Sequence, residues 1–157
     1  MTTPQLKSTT KTNFYEQDFY LWIETTAKQL KAGKFAEIDL ENLIEEIESM
    51  GRIEKRTLES NLVVLLMHLL KYKCQPEKRS KSCLSTIFEH RRRLNKHFQD
   101  SPSLKTSLKI FFLETFVECY QDARQQASIK TGLLLDIFPV ESPFNTDECL
   151  NQDFLPD

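Results

Sequence analysis

Apolar residues recur at helical spacing along nearly the whole chain after residue 13, and no alternating strand pattern interrupts them. Phe19, Trp22, Ile23 and Leu30 mark one broad side of a helix over Tyr15–Ala32. Leu40, Leu43, Ile44 and Ile47 mark the apolar face of a second over Asp39–Met50, with Asp39 as its cap. A third over Arg52–Cys74 carries a seam of Leu58, Leu62, Leu65, Leu66 and Leu69. Val63, Val64, Met67 and Leu70 fill its other sides, which predicts a central position in a bundle. The second and third helices can also form one rod, because an interior glycine such as Gly51 costs only about 1 kcal/mol against alanine. Leu84, Ile87, Leu94 and Phe98 define a fourth helix over Lys78–Asp100. Leu104, Leu108, Phe111, Phe112, Phe116, Cys119 and Ala123 define a fifth over Pro102–Thr131, opened by Ser101-Pro102 and closed by Gly132. Asn145 or Thr146 caps a last short helix. The expected fold is all-α. It is an irregular antiparallel bundle of about five helices around a central apolar helix, with a short C-terminal helix in an acidic tail packed by Phe138, Phe144 and Phe154. Residues 1–13 are polar and Thr-rich and read as a flexible lead into one helical domain over 14–157.

Composition narrows the class. With 157 residues, 39% of them hydrophobic, the chain can bury one core without staples. The longest apolar run, Leu62 to Leu70, is broken by His68 and falls far short of the roughly 20 residues of a membrane span. Met1–Asn13 has no apolar signal region, and Cys74, Cys83, Cys119 and Cys149 form no C-x-x-C pair. These features point to the cytosol, with reduced thiols and no membrane contact.

The formal net charge of −2 hides a strong segregation. Lys71–His97 holds nine Lys/Arg against two acids, and Ala36–Ser60 holds eight acids against three bases. Leu133–Asp157 holds six acids and no Lys or Arg. Such blocks attract one another, a second subunit or a charged partner.

Several stretches together carry a family resemblance: YEQDFYLW from Tyr15, DLENLIEEIESMG from Asp39, LLMHLLK from Leu65 and QPEKRSKS from Gln75. RRR from Arg91, DSPSL from Asp100, YQDAR from Tyr120 and the ending from Phe138 to Pro156 add to it. The chain thereby resembles a bacterial, mainly cyanobacterial family, domain-of-unknown-function family number twenty-nine, over roughly residues 14–157. That resemblance implies an all-helical fold. It brings no activity, no cofactor and no catalytic residues.

Chemistry is limited by what is missing. Glycines at 33, 51 and 132 provide no phosphate loop, dinucleotide fingerprint or nucleophile elbow, and neither H-E-x-x-H nor Glu-x-x-His occurs. Three constellations survive. Glu41, Glu45 and Glu48 share one helix face and can hold a divalent ion such as Mg²⁺ or Mn²⁺, although such faces are more often simply solvated. His68 can serve as ligand or general base, or as a partly buried hydrogen-bonding residue. Lys78, Arg79, Lys81, Arg92, Arg93 and Lys96 form a basic helix able to bind phosphates, or to pair with the acidic segments of the same chain. Arg91 falls on that helix's apolar seam and predicts a carboxylate partner, Asp122, Glu118 or the acidic cluster. Phe88 and Phe98 read as core. The leading reading is an interaction protein that uses charged helix faces for protein or self-association, leaning away from catalysis and needing no cofactor. The alternative is a nucleic-acid-binding protein, in its catalytic form a metal-dependent toxin-like nuclease with Glu45, Glu48 and His68 at the ion.

Overall fold

A computed structural model describes residues 13–157, with the helical backbone alone for 106–113. The polar stretch 1–12 and the side chains of Leu108, Phe111 and Phe112 lie outside the described residues. The described chain is helical, with no strand. Its helices are α1 (Phe14–Gln17), α2 (Phe19–Lys31), α3 (Leu40–Cys74), α4 (Lys81–Asp100), α5 (Pro102–Thr131) and α6 (Thr146–Leu150). Single 3₁₀ turns occupy Phe35–Glu37, Pro76–Lys78 and Leu135–Ile137. The chain divides into two compact units, one ending at Arg52 and one spanning Ile53–Asp157, and the division falls within α3.

In the first unit the expected helix over Tyr15–Ala32 is broken at Asp18. This residue takes extended backbone and caps α2 by accepting from Leu21 N at 3.0 Å. The other end of α2 closes on Gly33 at φ 70°, with Lys34 N donating to Gln29 O and Gly33 N to Leu30 O. Tyr15, Phe19 and Trp22 cluster edge-on and stacked, with Tyr15 and Trp22 centroids 5.0 Å apart. Two polar ties fix the start of α3 in this unit. Tyr15 Oη donates to Glu46 at 2.6 Å, and Trp22 Nε1 donates to Asp39 at 3.3 Å.

Those ties overturn one expectation. The half-buried positions at the start of α3 are Asp39, Asn42, Leu43, Glu46 and Ser49. The apolar face read for core, Leu40, Ile44 and Ile47, is instead 61%, 47% and 60% exposed. Phe19, Ile23 and Leu30 are likewise exposed around the buried Trp22. The helix runs unbroken through Gly51.

In the second unit the central helix is apolar nearly all round, as its sequence predicts. Leu58, Leu62, Leu65, Leu66, Met67, Leu69 and Leu70 are all buried. Ile87, Leu94 and Phe98 of α4 and Phe116, Cys119, Tyr120, Ala123 and Ala127 of α5 close on them, with Phe138, Phe144 and Cys149 from the C-terminal segment. Leu84 and Phe88 stand exposed on α4, so Phe88 leaves the expected core. Ser80 opens α4 by accepting from Cys83 N, and Pro76 turns the residues before it into a 3₁₀ turn. Ser101-Pro102 and Gly132 bound α5 as expected, the glycine at φ 72°. Asn145 caps α6 in a reciprocal box with Glu148.

The C-terminal segment is held mainly through its backbone. Arg91, 1% exposed, donates to Cys149 O at 2.8 Å and Glu148 O at 3.4 Å, not to a carboxylate. Arg124 donates to Phe138 O and Leu135 O, and Tyr120 Oη to Pro139 O. Gln121 and Asn95 add bonds to Val140 O and Leu150 O. Carbonyls replace the predicted acid because the helix ends and turns of this segment leave oxygens without intrahelical donors.

Candidate anion-binding pocket

Three chain segments of the second unit meet at one small cavity of about 240 Å³. The last turn of α3 contributes Lys71 and Tyr72, with Gln75 just beyond. The Pro76 turn and the start of α4 contribute Lys78, Arg79, Ser80 and Cys83, and the end of α5 contributes Lys130 and Thr131. Drug-sized ligands usually occupy about 300–1,000 Å³, so this cavity suits a compact group.

Its lining is one-signed. Lys71, Lys78, Arg79 and Lys130 line it and no carboxylate does. Arg79 is oriented by stacking 4.1 Å over the Tyr72 ring and by donating to Tyr72 O at 2.9 Å and Pro156 O at 3.4 Å. The guanidinium has five N–H donors, so several remain for a ligand. The first amides of α4 lack intrahelical acceptors and add a positive helix end beside Ser80. Lys71 and Lys130 also stand near the carbonyl ends of α3 and α5, where cations are favoured without any ligand. The discriminating residue is therefore Gln75. It is only 5% exposed as a residue and lines the cavity, with no side-chain hydrogen bond described for its amide.

Behind Cys83 stands His68, its Nδ1 3.6 Å from Cys83 Sγ. Burial, then Lys71, Lys130 and His90, hold His68 down at about 4. Burial raises the Cys83 thiol above its ordinary value, against a smaller opposite pull from Lys71. The pair is thus a neutral thiol beside a neutral imidazole. A nucleophilic dyad needs the opposite polarisation, thiolate beside imidazolium.

The remaining sequence candidates lie elsewhere. Arg92 and Arg93 both donate to Glu89, which these bonds hold at about 2, and Lys96 reaches Asp100 at 3.3 Å. Lys81 is exposed and lines no described cavity. Glu45 pairs with Arg52 at 2.6 Å and Glu48 with the same arginine at 4.0 Å, while Glu41 is exposed. These glutamates belong to the first unit and His68 to the second. No group of three or more His, Cys, Asp or Glu side chains able to hold a metal forms among the described residues. Of the six basic candidates only Lys78 and Arg79 reach the pocket. Sequence reasoning misses Lys71, Gln75 and Lys130: the first two adjoin one another at the end of α3, but Lys130 joins them and the start of α4 only in three dimensions.

No helix of the described residues is long and apolar enough to cross a membrane. A family model described as Domain of unknown function DUF29 matches residues 14–155. No curated protein and no solved structure matches the chain at a significant level.

Proposed function

The chain belongs to the DUF29 family, and we propose that it is a binding protein whose second unit recognises a compact oxyanion of phosphate type, free or as the terminal group of a small molecule. The observation that carries this reading is a small cavity lined by Lys71, Lys78, Arg79 and Lys130 with no carboxylate, and by the Gln75 amide beside them. A phosphate group accepts from the lysines, from Arg79 in its fixed orientation and from the Gln75 amide together. The α4 end favours the same sign of charge. Nothing in this arrangement asks for bond-breaking, since the one nearby thiol is held protonated. The basic helix contributes through its start, Lys78 and Arg79. Arg92, Arg93 and Lys96, which would extend a polynucleotide track, are already paired with Glu89 and Asp100.

The test is calorimetric titration of the full chain with inorganic phosphate, then with a small phosphate monoester, then with mixed-sequence RNA and DNA. We expect saturable one-site binding of the small anions. Gln75→Leu should weaken it about tenfold, the loss of roughly one charged hydrogen bond. A folded Gln75→Leu protein that binds phosphate as tightly as the wild type would overturn the reading. Wild-type protein that ignores small phosphates but binds RNA with a steep salt dependence would transfer the site to the polynucleotide alternative.

A further inference from the structure

The cavity between α3, α4 and α5 is lined almost wholly by hydrogen-bond donors. Lysine and arginine side chains have only N–H groups to offer, and Lys71, Lys78, Arg79 and Lys130 are the charged groups of its lining. Ser80 Oγ already accepts from Cys83 N at 3.1 Å, which leaves its O–H to donate. Thr131 Oγ donates to Ala127 O at 2.7 Å and accepts from Leu133 N at 3.2 Å, so it is engaged at its own helix end.

The main-chain oxygens around the Pro76 turn are engaged as well. Lys71 O accepts from Gln75 N, Gln75 O from Lys78 N and Pro76 O from Arg79 N. Tyr72 O accepts from Arg79 Nε at 2.9 Å. The side-chain acceptors that remain in the lining are neutral: the Gln75 amide oxygen, the Tyr72 hydroxyl and the Cys83 thiol. No carboxylate joins them. Such a lining meets an oxygen lone pair well and an O–H group badly.

Tetrahedral oxyanions of equal charge differ in that respect. Sulfate and the dianion of a phosphate monoester carry no proton, so each of their terminal oxygens only accepts. Inorganic phosphate at the same charge keeps one P–O–H group, which has to find an acceptor or point at a cation. Resting on the oxyanion reading above, we infer that the pocket selects a tetrahedral dianion without a proton, sulfate or the end group of a phosphate monoester, over inorganic hydrogen phosphate. The discrimination is carried by what the lining lacks, a charged acceptor, as much as by the cations it holds.

The decisive experiment is calorimetric titration of the full chain with sulfate, glycerol phosphate and inorganic phosphate at about pH 8. All three are dianions there, since a phosphate monoester loses its second proton near pH ~6. Charge is thereby matched, and sulfate and inorganic phosphate differ chiefly in the proton. Sulfate should bind at least about tenfold tighter than inorganic phosphate, the worth of one hydrogen bond left unmade. Glycerol phosphate then assigns the source: tighter than inorganic phosphate marks an end group, weaker marks the free ion. Ser80→Asp supplies the missing acceptor at an exposed position and keeps the α4 cap, because aspartate caps as well as serine. It should erase the preference for sulfate. Inorganic phosphate bound by the wild type as tightly as sulfate overturns the inference and leaves the oxyanion reading standing, whereas binding of none of the three removes both. A folded Ser80→Asp protein that keeps the full wild-type preference also overturns the inference.

Discussion

Arg91 gives up its water on folding and recovers its hydrogen bonds from the end of α6, where Cys149 O and Glu148 O accept from its guanidinium. Replacing it by methionine keeps most of the volume but takes this donor from both carbonyls. Relief of a buried charge offsets part of that loss. Arg91→Met should therefore lower stability by about 1–3 kcal/mol. Denaturant unfolding measures this, and hydrogen exchange should show α6 losing protection first. His68 makes the second residue-scale prediction. Its folded value of about 4 lies below the ordinary 6.5, so the unfolded chain takes up a proton at a higher pH than the folded one. The stability from keeping it neutral is complete above pH 6.5 and is lost as pH falls toward 4. With allowance for partial solvent exposure the loss is about 1–2 kcal/mol. His90 is displaced in the same direction, also chiefly by burial, so His68→Asn should flatten the pH profile without abolishing its slope. An unchanged profile would show that His68 is not the group responsible.

Among the elements, α5 is the most legible in the sequence. Ser101-Pro102 and Gly132 are local stop signals, and both ends fall where they predict. The break at Asp18 is equally local, an acid able to cap, but it sits inside a stretch whose apolar spacing continues across it. The pairing of Arg92 and Arg93 is also legible, since Glu89 lies three and four residues before them. The burial of α3 is legible only in part. Spacing reports that a face is apolar, not that anything covers it. The stripe therefore reads alike at Ile44 and at Leu65, although only Leu65 is buried. The difference should appear in exchange rates. Amides over 58–70 sit among largely buried side chains, whereas those over 40–50 are flanked by exposed ones. The first half of α3 should exchange at least tenfold faster than the second. Equal protection would show that the two halves open together.

At the scale of the whole molecule, the segregated charges do less pairing than their sequence suggests. The described ion pairs are short-range ones within a helix or turn, apart from His97 and Glu54, 3.1 Å apart. No described ion pair joins the basic helix to the acidic segment over 133–157. That leaves the four cations of the pocket without a described counter-charge, and such a surplus is visible only once α3, α4 and α5 are assembled. The segment over 133–157 is instead fastened largely through main-chain oxygens, by Arg91, Arg124, Tyr120 and their neighbours. A main-chain oxygen belongs to every kind of residue and has no proton to gain in mild acid. The fastening is therefore indifferent to most side-chain changes in the segment it holds. The segment can drift in composition and keep its place, so long as it turns where it now turns, while the arginines that grip it cannot.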